Sequence, residues 1–164
     1  MENTTQPIRK LLATSSFLAI VAGVAFIGAG VWGITFTYTN VARENITTPD
    51  DASIPGVPVA GPFTLKAQAD IIRVHTLRAT EGKTFAEMPR QVPKTDESGN
   101  PVLDENGKPV MVANTARDIW ITATTLTTAL NLGIVTYAFS GLILVFGLVS
   151  IWTGITFYAL SQKY

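Results

Sequence analysis

The sequence predicts an all-α membrane protein: two long transmembrane helices in an antiparallel hairpin, joined by an exterior region with a short helix and a candidate β-hairpin. Three observations carry this. No charged residue lies between Lys10 and Arg43, and none between Asp118 and Lys163. Each of these apolar runs exceeds the roughly 20 residues that a helix needs to cross about 30 Å of hydrocarbon. Aromatic rings gather near the run ends: Trp32 and Tyr38 in the first, then Trp120 before the second and Trp152, Tyr158 and Tyr164 toward its end. Such rings favour the headgroup level.

The elements follow in order. Residues 1–10 are a cytoplasmic N-terminus and 11–40 the first transmembrane helix. Residues 41–113 are the exterior region, 114–160 a long helix containing the second transmembrane segment, and 161–164 a cytoplasmic C-terminus. Arg9 and Lys10 before an apolar run also fit a signal peptide, whose core is about 7–15 residues. This run is far longer and ends in TFTYTN without a small-x-small cleavage pattern, so it reads as a retained anchor. Basic residues near the span ends set orientation. Arg9, Lys10 and Lys163 stand on the side of the termini against Arg43 and Arg117 on the other. That balance places both termini in the cytoplasm of a plasma-membrane protein. The stretch IWITATTLTTALN has no Pro or Gly, so the second helix continues through it.

The exterior region divides into three pieces. Pro49, Pro55, Pro58 and Pro62 make its start extended and irregular. Residues 64–80 read as a helix, with Leu65, Ala69 and Ile72 on one face and Gly82 as its stop. Residues 95–112 read as a turn-rich ribbon. There Asp96-Glu97-Ser98-Gly99-Asn100-Pro101-Val102 is echoed by Asp104-Glu105-Asn106-Gly107-Lys108-Pro109-Val110. Asn106-Gly107 signals a type I′ hairpin. One helix and a ribbon offer little core, so the region is expected to need a partner surface for order.

The most informative pattern is a row of small residues within each span. In the first, Ser15, Ala19, Ala22, Ala29 and Gly33 alternate steps of four and three, with Phe26 interrupting. In the second, Ala129, Gly133, Thr136, Ser140, Gly147, Ser150 and Gly154 do the same, with Ile143 interrupting. A 3.5-residue period keeps one seam facing a neighbour, and small residues let two backbones approach in lipid. Leu142, Leu144, Val145, Phe146 and Leu148 form a bulky opposite face.

Several chemistries are disfavoured. The formal net charge is +0, so no basic surface suggests nucleic acid. Cysteine is absent, which excludes disulfides and thiolate sites. His75 is the single histidine and reads as a surface or interface residue. The carboxylates of Asp96, Glu97, Asp104 and Glu105 lack the EF-hand spacing and read as solvated turn residues. Ionisable residues inside spans mark ion paths and substrate sites, and neither run contains one. Asn3 and Asn45 open glycosylation triplets of little weight. No catalytic, cofactor or metal residue is assigned.

The ordered set Glu44-Asn45-Ile46-Thr47, Pro58-Val59-Ala60-Gly61-Pro62-Phe63, Ala67-Gln68-Ala69 and Gly82-Lys83-Thr84-Phe85-Ala86-Glu87 resembles a group of actinobacterial two-span membrane proteins. The likeness runs on into RDIWITATTLTTAL and covers most of the chain. Members of the group often carry the label aromatic-ring-opening dioxygenase. Such iron enzymes use a 2-His-1-carboxylate site, which one histidine does not supply. The group is similar to the prokaryotic respiratory supercomplex association factor 1 family, although the acidic repeat is longer than the loop expected there. The resemblance implies a non-catalytic accessory subunit of a cytochrome bcc–aa3 respiratory supercomplex. Its implied partners are membrane subunits of cytochrome bcc and cytochrome aa3 oxidase, together with lipids. Haem and copper would belong to those subunits and not to this chain. The rival from the residues alone is an envelope or sensor protein with a ligand-binding exterior loop.

Overall fold

The structure is a computed structural model that describes residues 5–163; Asn3 and Tyr164 fall outside them. The described chain is mostly helical. Helix α1 spans Thr5–Ala42, α2 Pro62–Ala79 and α3 Thr115–Ser161, with strands β1 (Gln91–Pro93) and β2 (Met111–Ala113) between α2 and α3. At 38 and 47 residues, α1 and α3 run about 57 and 70 Å at 1.5 Å per residue. Both are long and apolar enough to cross a membrane.

The helix ends have local causes. Pro7 lies in the first turn of α1, where its missing N–H costs nothing. Asn45, just past the end of α1, takes a left-handed φ of 50°, which asparagine tolerates. Pro62 opens α2. At its far end Gly82 N–H reaches the Leu77 carbonyl at 2.7 Å and Glu81 N–H the Arg78 carbonyl at 3.3 Å. That is a Schellman cap. Glu81 and Gly82 both follow the helix in left-handed conformation, at φ 54° and 78°, so the anticipated stop at Gly82 is the second residue of the cap. Asn114 caps α3: its Oδ1 accepts from Ala116 N–H at 3.1 Å, and its Nδ2 donates to the Pro89 carbonyl at 3.0 Å.

The chain folds as two compact units. The first runs through Ile46 and includes Pro58–Pro62 and the chain from Leu132 onward. In it α1 and the second half of α3 pair as an antiparallel hairpin. On α1 the buried positions are Ser16, Gly23, Gly30, Gly33 and Thr37; on the part of α3 from Leu132 onward they are Ser140, Gly147, Gly154 and Ser161. Apart from Gly33 these recur every seven residues on each helix, the 3.5-residue period doubled. The backbones meet at glycine. A Cβ on Gly23 would lie 2.7 Å from the Gly147 carbonyl oxygen, and one on Gly147 would lie 2.9 Å from that of Gly23. A Cβ on Gly154 would lie 2.9 Å from the Ser16 oxygen, and one on Gly30 2.9 Å from that of Ser140. No side-chain adjustment relieves a clash with backbone.

The second unit contains Thr47–Val57 and Phe63–Asn131. Leu65, Ala67, Ala69, Ile71 and Met88 are buried in it, with Thr76 and Thr80. The expectation that one helix and a ribbon give little core left out the first turns of α3, which line the face of α2. Ile72, assigned to the same face as Leu65 and Ala69, is only half-buried, while Ile71 beside it is buried.

The acidic repeat is not a single ribbon over 95–112. Only Gln91–Pro93 and Met111–Ala113 pair as strands, Gln91 opposite Ala113. Inside them each copy of the repeat closes its own turn, bridged at Thr95–Pro101 and Leu103–Pro109. Asp96 Oδ1 accepts from the N–H groups of Ser98 and Asn100, and Asp104 Oδ1 from those of Asn106 and Lys108, all within 2.9 Å. Gly99 and Gly107 sit at φ 82° and 72°, whereas Asn106 is not left-handed. A type I′ turn needs positive φ at both central residues. The turn is therefore the type I form followed by a left-handed glycine. The eight-residue spacing brings Lys94, Val102 and Val110 into a closed ring: Val102 N–H to Lys94 O, Val110 N–H to Val102 O, and Lys94 N–H to Val110 O, at 2.8, 2.8 and 2.7 Å.

The hairpin makes a paired prediction. Gly147→Ala forces the backbones apart and destabilises the hairpin by about 1–3 kcal/mol. Gly28→Ala, where nothing lies within 4 Å of the added Cβ, is neutral or slightly stabilising through helix propensity. Denaturant titration of helicity in mixed micelles checks both; equal effects at the two positions would contradict the packing.

Candidate functional site

Two hydroxyls cross the hairpin. Ser16 Oγ donates to the Gly154 carbonyl at 2.7 Å and Ser150 Oγ to the Ala19 carbonyl at 2.8 Å. In lipid such bonds contribute about 0.6–1.7 kcal/mol each. Thr37 instead donates to its own helix, at the Gly33 carbonyl. Tyr137 Oη donates to the Ala60 carbonyl at 2.6 Å, pinning the Pro58–Pro62 segment to α3 within the same unit. That segment is also held by Val59, which is 1 % exposed and donates its N–H to the Ile46 carbonyl.

The structure places Gly33, Ser140, Gly147 and Gly154 in the seam, and Ala19 and Ser150 at one of its hydrogen bonds. Ser15, Ala22 and Gly133 are half-buried beside it, whereas Ala29 and Ala129 are exposed, as is Thr136. The α1 row is thus shifted by one position, from Ser15–Ala22–Ala29 to Ser16–Gly23–Gly30. Closest approach goes to residues without a Cβ, and alanine at the neighbouring position is displaced to the flank. The signal that locates the row is the strict seven-residue recurrence of Ser16, Gly23, Gly30 and Thr37, which the competing alanine row masks.

The hairpin consumes one face of each helix. Phe17, Val21, Val24, Val31 and Trp32 remain exposed on α1, as do Phe139, Val145, Phe146, Val149 and Trp152 on α3. Trp32 and Phe36 stack with centroids 5.4 Å apart. Leu142 and Leu148 are exposed, but Leu144 turns inward to cover Gly30.

In the second unit polar contacts tie loop to helix. Thr48 exchanges bonds with Val57 through backbone and hydroxyl, closing the proline-rich loop on itself. Asp51 in that loop meets α2: its Oδ2 lies 2.8 Å from His75 Nε2 and 3.5 Å from Arg78 Nη1. His75 is thus a docking partner of the loop. The first turn of α3 is tied by Arg117, which donates to the carbonyls of Phe85 and Met88 at 3.1 and 2.6 Å and lies 3.7 Å over the Phe85 ring. The Thr84 N–H and hydroxyl both reach Glu87 Oε2 at 2.7 Å and hold its carboxyl below the usual range. Among the described residues no three His, Asp or Glu side chains group as a metal site. Comparison of the chain with protein families, with curated proteins and with solved structures finds no match.

The hydrogen bond from His75 lowers the Asp51 pKa below its ordinary 3.8, and the charges of His75 and Arg78 add to the effect. A depressed folded-state pKa stabilises the docked loop above the ordinary value, and that contribution is lost as pH falls through the folded value. NMR titration of the Asp51 carboxyl carbon is expected to give a midpoint below 3.8, rising in His75→Phe. An unchanged midpoint in that variant would show that His75 does not hold the loop.

Proposed function

We propose that this chain is a non-catalytic accessory subunit that attaches by its helix hairpin to larger membrane subunits, those of an actinobacterial cytochrome bcc–aa3 supercomplex. The observation that carries the reading is the hairpin itself. It is sealed by glycine contacts and two serine hydrogen bonds, its outer faces are bulky and apolar, and its charge-free runs offer no ionisable group for transport or proton relay. Such a unit suits attachment and not passage. The resemblance over residues 44–91 and 117–130 supplies the respiratory context, in which both termini are cytoplasmic, the second unit stands on the outer face and the redox cofactors sit in the partners.

A second reading, an envelope or sensor protein whose second unit binds a ligand, is favoured by one observation: that unit has its own small core around Leu65 and Met88.

The test is co-purification of the tagged full-length chain in a mild detergent. Subunits of cytochrome bcc or aa3 oxidase are expected in the eluate at stoichiometric levels. Their absence, with the chain itself recovered folded, would overturn the proposal and leave the sensor reading.

A further inference from the structure

The second unit holds a cleft of about 140 Å³ between α2 and the first half of α3. Arg73 lines it from α2; Trp120, Thr124, Thr127, Thr128 and Asn131 line it from α3. The α3 wall belongs to the charge-free run that begins at Ile119, so the one formal charge at the cleft is the Arg73 guanidinium. Among the described residues the carboxylates near α2 are engaged elsewhere: Asp70 pairs with Lys66 and Asp51 with His75 and Arg78, while Arg73 has no ion-pair partner.

The threonines divide in a telling way. Along α3, Thr125, Thr127, Thr136, Thr153 and Thr156 each donate to the carbonyl four residues back, the usual way for a helix threonine to satisfy its proton. Thr122, Thr124 and Thr128 do not; Thr124 and Thr128 line the cleft, and neither they nor the Asn131 amide have a side-chain hydrogen-bond partner among the described residues. The cleft therefore combines a cation, two uncommitted hydroxyls and an amide, with the Trp120 indole on the wall and no competing anion. Hydroxyl, amide and guanidinium donors converging on one space fit an oxyanion with several acceptor oxygens, and guanidinium matches phosphate geometry bidentately.

We propose that this cleft binds a phosphate oxyanion, of the kind carried by the headgroup of an anionic phospholipid. Arg73 supplies the charge and one edge of the contact. Thr124, Thr128 and Asn131 supply neutral donors that an apolar ligand would leave unpaired.

The full chain carrying Trp32→Phe and Trp152→Phe keeps Trp120 as its sole indole, which reports on the cleft. In maltoside detergent it is titrated with phosphatidylglycerol and, separately, with inorganic phosphate. A saturable change in Trp120 emission is expected from at least one. Response to the lipid alone assigns the site to a headgroup; response to phosphate, with or without the lipid, assigns it to the anion itself. In Arg73→Gln the apparent affinity should fall about tenfold or more, the loss of one charge-assisted contact, and Arg73→Lys should recover part of it. Thr124→Val with Thr128→Val should weaken binding with Arg73 intact. That second variant stands in if Arg73→Gln loses helicity. No saturable response from either ligand, or equal affinity in Arg73→Gln with helicity retained, would overturn the proposal.

Discussion

Two apolar helices in hydrocarbon gain nothing by hiding surface from each other, because lipid tails are as apolar as leucine. What they gain is contact, and contact depends on how close the backbones come. In this chain that distance is set where Gly23 faces Gly147 and where Gly154 and Gly30 meet the carbonyls of Ser16 and Ser140. The seven-residue recurrence matters because it keeps the same face inward over several turns. Residues 16 to 37 cover about 32 Å of helix at 1.5 Å per residue, close to the hydrocarbon thickness of a bilayer. The serine hydrogen bonds fix register on top of this packing, and they form because the glycines allow the approach.

The second unit is organised by different physics. Its backbone turns are satisfied locally, by aspartates that accept paired N–H groups and by a ring of three backbone bonds at Lys94, Val102 and Val110. Its longer-range ties are charged or aromatic: Asp51 with His75 and Arg78, Arg117 with Phe85 and two carbonyls. Helix α3 contributes to both units: its Asn114 to Asn131 portion is threonine-rich with apolar residues between the threonines, and the remainder is seamed for α1.

Much of this was legible in the residues. Charge-free length gave the two long helices and the bounds of α3 to within a residue, but α1 begins at Thr5, through Arg9 and Lys10, and not at residue 11, because helix continues past the charges that bound the apolar run. The α2 helix was visible in the spacing of Leu65 and Ala69. The row on α3 from Ser140 to Gly154 was visible because glycine and serine dominate it. On α1 two small-residue rows lie side by side, and composition does not choose between alanine and glycine, whereas a backbone contact does. The Asn106-Gly107 pair suggested the wrong turn because Asp104, two residues earlier, captures the backbone first. The core of the second unit was underestimated because the extra apolar wall comes from a helix assigned wholly to the other role. Arg73 carried no sequence signal; it becomes notable only once two of the threonines opposite it, Thr124 and Thr128, are seen to lack their usual carbonyl partners.

The hairpin is held by this seam in this register. The chain has no cysteine, so paired cysteines report on it cleanly. Oxidative cross-linking in native membranes is predicted to join Ala19→Cys with Ser150→Cys within one chain, since the Ser150 hydroxyl reaches the Ala19 carbonyl. Ala29→Cys with Gly141→Cys, at an exposed position of α1 and a glycine that nothing approaches, should not cross-link within the chain. Efficient intramolecular linkage of the second pair and none of the first would contradict the seam.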